Sequence, residues 1–367
     1  MIRKRPSLWL KTRWHTKDRT FVMDEARKAE LKDYSDKIGK NNLVPLWDRL
    51  KTLVTPEPKS PCQAHLWQYE DIRPVLLEAG HLLTAKEAER RVLILENPGM
   101  PGESKITTSL YAGIQLIMPG EIAPAHKHSQ AAFRFIIEGS GAYTAVEGEK
   151  SYMRKGDLIL TPNGRWHDHG NEGDEPTFWL DGLDIPIVQF LDASFMQHHS
   201  EETHEHVIND GDSLARYGSG MMPMDFEPVS NTSPVMKYPY DRTRENLITM
   251  KEAGNPDPCH GYKLMYVNPV DGKSAIPTMG AFMQLLPKGF DSSAYRSTDA
   301  TVFSVVEGTG KSKIGDKTFN WGPNDTFVVP SWHYVQHFAN DECVLFSYSD
   351  RSVQHALGLW RQDRGNR

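Results

Sequence analysis

Phe133-Arg-Phe-Ile-Ile-Glu-Gly-Ser-Gly141 returns later in the chain as Val302-Phe-Ser-Val-Val-Glu-Gly-Thr-Gly310. Each copy is an aromatic and β-branched run closed by Glu-Gly-x-Gly, the composition of a buried strand that ends in a tight turn. The echo continues downstream, where Gly156-Asp-Leu-Ile-Leu-Thr-Pro162 recurs as Asn324-Asp-Thr-Phe-Val-Val-Pro330, and His169-Gly-Asn171 has a counterpart in His337 to Asn340. Several strands repeated in the same order mean one supersecondary unit used twice. Around the first copy, apolar runs at Ala112 to Met118, Ala132 to Ile137, Ala142 to Val146, Leu158 to Leu160 and Thr177 to Leu180 are parted by Gly, Pro, Asn or Asp. Their spacing of roughly ten residues is the rhythm of a β-sandwich or barrel. The sequence thus predicts an all-β dominated chain with two similar barrels.

The organisation read from this repeat has four parts. Residues 1–91 form an arm and a helical segment. Within it, 24–55 reads as helix with Leu31, Tyr34 and Ile38 on one stripe, broken at Gly39 and near Pro45, and Ile72 to Ala79 is a second helical piece. The basic first 22 residues read as a loose arm, or as sequence ahead of a start at Met23. Thr84 to Arg91 reads as further helix, and Val92-Leu-Ile-Leu95 as the first strand. Residues 92–190 make the first barrel, 191–260 a polar linker, and 261–367 the second barrel. The histidine-dense run His198-His-Ser-Glu-Glu-Thr-His204-Glu-His206 lies in that linker, has no β pattern, and reads as solvated.

Composition narrows the function. The chain has 367 residues, 38% hydrophobic and 25% charged, enough for two ordinary globular cores. A net charge of −6 with scattered basic residues argues against a nucleic-acid partner and for a small molecule. Cys62, Cys259 and Cys343 are an odd, dispersed set without C-x-x-C, which excludes a thiolate metal site and suits a cytoplasmic, reducing setting. No stretch approaches the length of a membrane span.

The chemistry sits in Gly120-Glu-Ile-Ala-Pro-Ala-His126-Lys-His128 and in His167, which follows a Pro/Gly turn. On a strand, residues two apart leave the same face, so His126 and His128 converge, and His167 joins them from a later strand. Three neutral imidazoles with no fourth ligand make an open metal site, with about three positions of an octahedral ion left for substrate and a second reactant. Aligning the repeats puts Tyr295, Ser297 and Val335 at the corresponding positions of the second barrel, so one metal per chain is expected. If the strand stays regular from His126, Arg134 faces the barrel interior; it then either holds an anionic substrate or pairs with a buried acid. His169 either shares the face of His167 as a hydrogen-bond donor or caps the turn outside. Asp181 and Asp184 orient ligands and protons or simply form a turn. Gln115 is a polar residue in an apolar strand.

The two-part pattern resembles the cupin motifs, with Ala132 at the position where many cupins place a glutamate ligand. Further stretches, among them Asn42-Leu-Val-Pro-Leu-Trp47, Glu89-Arg-Arg91, Tyr111-Ala-Gly-Ile-Gln115, Ala125-His-Lys-His-Ser-Gln-Ala-Ala-Phe-Arg134, Trp166-His-Asp-His-Gly170 and Trp179-Leu-Asp-Gly-Leu-Asp-Ile-Pro186, are similar to the bicupin gentisate 1,2-dioxygenases, relatives of the salicylate and 1-hydroxy-2-naphthoate dioxygenases. The resemblance implies two jelly-roll barrels behind an N-terminal helical segment, and a homotetramer. It implies one Fe(II) on His126, His128 and His167, and ring cleavage of gentisate by O2 to maleylpyruvate. Arg90 and Arg134 would hold the substrate carboxylate, Tyr111 would meet a polar ring substituent, and Gln115, His169 and Asp181 would shape the pocket or move protons.

Overall fold

The computed structural model describes residues 25–365, and the expected arm before Met23 lies outside them. Residues up to Glu57 form one compact unit and those from Pro58 a second. In the first unit, helices Glu25–Gly39 and Leu46–Leu53 flank the break expected at Gly39 and Pro45, and Tyr34 stacks on Trp47 with ring centroids 6.4 Å apart. No described helix is long and apolar enough to cross a membrane. Cys62, Cys259 and Cys343 are buried free thiols.

The second unit holds both repeats. In the first, a six-stranded sheet runs Lys237–Tyr238, Leu158–Thr161, Ala132–Glu138, Thr177–Leu183, Tyr111–Ile117, Val92–Ile94. A five-stranded sheet runs Met196–His198, Ile122–His128, His167–Asn171, Ser140–Val146, Glu149–Arg154. The second repeat has a six-stranded sheet in the order His65–Trp67, Thr326–Val329, Thr301–Glu307, Cys343–Ser349, Gly280–Leu286, Tyr262–Met265, and a three-stranded sheet of Lys317–Trp321, Gly310–Ile314 and Val335–Ala339. The strand pairs within these sheets are antiparallel. Each jelly roll is therefore two sheets over a core, not a ring closed by hydrogen bonds.

Strand alternation sorts the side chains. Along Ala132–Glu138, Ile136 joins Ile117, Met153, Ile159 and Trp179 inside the first barrel, whereas Phe133 and Phe135 point the other way and enter the largest core cluster with Met283, Val302, Phe346 and Tyr348 of the second repeat. Phe135 and Phe346 stack at 4.0 Å. The two six-stranded sheets thus pack back to back, which is why these strands read as continuous apolar runs.

The repeat is longer than its barrel strands. The strand His65–Trp67, which precedes the expected first strand at Val92, pairs with Thr326–Val329 of the second repeat. Its counterpart Lys237–Tyr238 pairs with Leu158–Thr161 of the first. Helix Tyr69–Leu82 follows one and helix Tyr240–Ala253 the other. The contacts match in pairs: the Tyr69 and Tyr240 amides donate to Asp325 and Asp157, and their hydroxyls to Glu138 and Glu307, acids that also receive Arg73 and Arg244. Each repeat lends its leading strand to the other's sheet. Part of 191–260 is consequently more than linker: it supplies the edge strands Met196–His198, which is exposed, and Lys237–Tyr238, and a 14-residue helix.

Candidate metal centre

Strand Ile122–His128 carries an irregularity between Ala123 and His126, after which His126 lies directly opposite His167. His128 is the last residue of that strand. The three imidazoles converge, with ring centroids 4.3 to 5.2 Å apart, and offer ligand atoms that all lie within 4.8 Å of one another. Each ring has its Nδ1 near the carbonyl of a residue two away: His126 at Pro124 (3.3 Å), His128 at Gln130 (2.9 Å), His167 at Arg165 (3.0 Å). A carbonyl accepts only, so at His128 and His167 it favours a proton on Nδ1 and a free lone pair on Nε2, the tautomer a metal needs; at His126 the Arg90 guanidinium, a donor, lies against the same Nδ1 and competes with that arrangement. The Nε2 of His167 is buried without a partner. Burial pulls His128 down to about 4, and burial with the Arg90 charge pulls His126 down to about 2, so all three rings stay neutral at neutral pH. Ala132 is buried and adds no ligand. The set fits a metal held by three histidines.

Two cations flank these rings. The Arg134 side chain faces the interior as expected, yet the parity reasoning fails, because a bend at Ser129 and Gln130 breaks the strand and Arg134 belongs to the next one, Ala132–Glu138. It is buried, donates to Thr161 Oγ1 at 2.5 Å, and has Nε 3.7 Å from Asp181 Oδ1 without a hydrogen bond. Both readings of Arg134 therefore hold at once: an acid sits beside it, and one donor is still free. Arg90 reaches the site from outside the sheets, donating to Pro124 O at 2.8 Å and lying against His126 Nδ1. Its neighbour Arg91 is taken by Glu121 at 2.7 and 2.8 Å. Glu89, with φ of +52°, ends the short helix Ala85–Ala88 just ahead of the two arginines.

The remaining candidates complete one face. Asp181 stands opposite Arg134 and Gly113 in register, accepts from Trp179 Nε1 at 3.0 Å, and is raised to about 6 by burial, against the opposing pull of Arg134. Gln115 is buried opposite Trp179. His169 is inside, not a cap: its Nδ1 meets Thr144 Oγ1 at 3.0 Å, its Nε2 is buried and unpartnered, and its ring lies 5.8 Å from that of His167. The Tyr111 hydroxyl lies over Gly113, where a Cβ would come within 2.9 Å of it, and burial plus the Asp181 charge raise its pKa. Asp184 is structural, accepting from Ala131 N at 2.9 Å and Thr278 Oγ1 at 2.6 Å.

A second group of metal-type ligands joins Asp168 of strand His167–Asn171 to His204 and His206, from the run the sequence predicts to be solvated linker. His204 is buried; its Nδ1 lies 2.6 Å from Asp168 Oδ2, and its Nε2 accepts from Gly148 N at 3.0 Å. That acceptor role fixes the proton on Nδ1 and leaves no lone pair for a metal. The cluster is a clasp that holds the 199–208 segment to the outer side of strand His167–Asn171. Asp168 between two inward histidines was the available signal, since alternation puts it outside.

The cupin domain family matches residues 113–183, the segment that carries these side chains. A gentisate 1,2-dioxygenase of Aquipseudomonas alcaligenes is 54% identical over 94% of this chain and 99% of its own length. The chain belongs to the gentisate 1,2-dioxygenase family. Within the same group, a 5-aminosalicylate 1,2-dioxygenase of Comamonas is 33% identical over 91% of this chain and 90% of its own. The crystal structure of a salicylate 1,2-dioxygenase from Pseudoaminobacter salicylatoxidans, an adduct with gentisate, superposes with a TM-score of 0.89 at 32% identity, covering 94% of this chain and 97% of that one. Like those relatives, this family member is a ring-cleaving dioxygenase with a bicupin fold.

Proposed function

We propose that this dioxygenase binds one Fe(II) on His126, His128 and His167 and opens gentisate between the carboxylate-bearing and the adjacent hydroxylated carbon, giving maleylpyruvate. The observation that carries the reading is the pairing of three converging imidazoles, the His167 Nε2 among them buried and without a partner, with two arginines at their edge. Iron held there supplies Lewis acidity for the substrate's ortho-hydroxyl and electrons for activating dioxygen. Neutral ligands leave the ion's charge uncompensated, so the pocket selects an anion. Arg134 offers its free Nε, and Arg90 its guanidinium, to the carboxylate. The half-buried Tyr111 phenol, protonated at working pH, meets a polar substituent across the ring, which favours a 5-hydroxylated substrate over salicylate. His169 and Asp181 are the groups placed to take a proton, and Gln115 lines the wall they share.

The test is anaerobic reconstitution with Fe(II), followed by gentisate in aerated buffer with oxygen uptake and product absorbance recorded together. Stoichiometric uptake with a ring-opened keto acid is expected. Faster uptake with salicylate or 1-hydroxy-2-naphthoate would overturn the substrate assignment, and binding without uptake would overturn the reaction. The reading extends to a homotetramer working in the cytoplasm, checked by light scattering and by fractionation of the source cells.

A further inference from the structure

The second barrel keeps part of the first barrel's interior. Register places Gln284 where the first barrel has Gln115, Ser347 at the place of Asp181, Phe303 at that of Arg134, and His337 at that of His169. The histidine is even held alike: Ser312 Oγ meets His337 Nδ1 at 2.8 Å as Thr144 Oγ1 meets His169 Nδ1 at 3.0 Å. One exchange runs the other way. Lys263 lies opposite Gln284, whereas Val92 lies opposite Gln115. A cation has entered where the metal ligands are gone.

Lys263 also opens onto a cavity. With Arg351, His260, Phe282, Met265 and Pro277 it lines a volume of about 870 Å3. Lys263, Arg351, His260 and Phe282 further line a small void of about 20 Å3, a water's worth, bounded by Tyr295 and Ser297. Those two residues stand at the repeat positions of His126 and His128, and Tyr295 bridges Val335 as His126 pairs with His167. Among the described residues, the one ion pair in the cavity lining is Lys273 with Asp271 at 3.4 Å. Asp299 also lines the small void and its charge acts on Lys263, but its carboxylate accepts from Trp360 Nε1 at 2.8 Å and makes no ion pair with Lys263 or Arg351. Lys263 Nζ rests over the Phe282 and Phe303 rings at 4.9 and 5.5 Å, and Arg351 over Trp360 at 4.1 Å. Deeper in, both amide atoms of Gln284 and Nε2 of His337 are fully buried without hydrogen-bond partners. Half-buried cations with no carboxylate in ion-pair contact, Arg351 giving its Nε only to His355 Nε2 at 3.2 Å, beside orphaned donors and acceptors and an apolar wall, suit an anion of matching shape.

We infer that the second barrel is a metal-independent site for a small organic carboxylate, held by Lys263 and Arg351 with its apolar body against Phe282, Met265 and Pro277. Two carboxylates of the proposed reaction have this chemistry, the aromatic substrate and the ring-opened product, and the inference depends on the proposed function only for that choice of probes. Equilibrium dialysis of the iron-loaded protein, with gentisate under anaerobic conditions and separately with the product of completed turnover, reads the number of equivalents bound per chain. At least one of the two should exceed one equivalent per chain. Lys263→Met and Arg351→Gln should each weaken the extra equivalent by at least about tenfold, with Lys263→Arg retaining it and oxygen uptake showing that the variants fold. His128→Ala should remove the metal-site equivalent and spare the other, so the two readings fail separately. A ceiling of one equivalent with both probes, or an extra equivalent unchanged in Lys263→Met, would overturn the second site.

Discussion

A histidine ring has two nitrogens, and which one carries the proton decides what the residue can be. At His128 and His167 a carbonyl faces Nδ1 and Nε2 is left for a metal, and at His126 the Arg90 donor shares Nδ1 with a carbonyl; at His204 an amide donor occupies Nε2 and the ring becomes a structural donor. His169 has the metal-type arrangement, Nδ1 tied to Thr144 and Nε2 bare, yet it lies outside the ligand set. It is therefore placed to handle a proton. His169→Asn should keep its iron and lose about 10²–10⁴ in kcat; iron measured by mass spectrometry alongside single-turnover rates tests this, and a rate within threefold of wild type would refute it. The convergence of His126 and His128 was legible from spacing, because two residues apart on a strand is a geometric statement, and His167 joins them from the strand opposite. Arg134 was legible only by its residue type and motif. The bend at Ser129 removes the parity that pointed to it, and nothing in the spacing of Arg90 and Arg91 says which one Glu121 will claim.

Elements inherit these residue choices. The segment 199–208 has no apolar alternation, so its sequence reads as solvent-facing; a buried Asp168 paired to His204 and His206 binds it nonetheless, through polar contacts that hydrophobic patterning does not register. Asp168→Asn should leave His126, His128 and His167 in place and make this segment open more often, read as faster amide exchange across 199–208 with metal content unchanged. Equal exchange in both proteins would mean that the clasp does not hold it. The exchanged leading strands were hidden for a different reason: at three and two residues they are too short for any periodicity. A trace of them exists in Trp67-Gln-Tyr69-Glu-Asp-Ile-Arg73 and Tyr238-Pro-Tyr240-Asp-Arg-Thr-Arg244, where Tyr and Arg recur at one turn's spacing. At the sheet interface, Phe346 is fully buried and touches rings of both repeats. Phe346→Ala should cost about 3–5 kcal/mol in urea unfolding; a loss below about 1 kcal/mol would argue against a core shared by the two sheets.

At the scale of the whole molecule, the reciprocal contacts make the barrels interdependent. The N-terminal acid of the helix after each barrel, Asp184 or Asp350, receives a hydroxyl from the other repeat, Thr278 or Ser109. With leading strands also exchanged, neither barrel keeps its edge or cap if the other opens, so unfolding of residues 58–365 is expected in a single transition. This coupling carries acid sensitivity from one barrel to the whole. His337 in the second barrel is pulled down to about 3 by burial and by Lys263. The unfolded chain takes up a proton at this residue below about 6.5 and the folded one does not until about 3, so its contribution is complete above 6.5 and stability falls as pH drops through that window, by up to about 1.4 kcal/mol per pH unit. His337→Gln removes that proton from the unfolded state. Unfolding free energies from urea melts at pH 7, 6 and 5 should fall faster for wild type than for the variant, by about 1 kcal/mol between 6 and 5, with both barrels melting together at every pH. Parallel pH profiles would show that His337 is not held neutral, and separate transitions for tryptophans of the two barrels would show that the exchanged strands do not bind them into one cooperative unit.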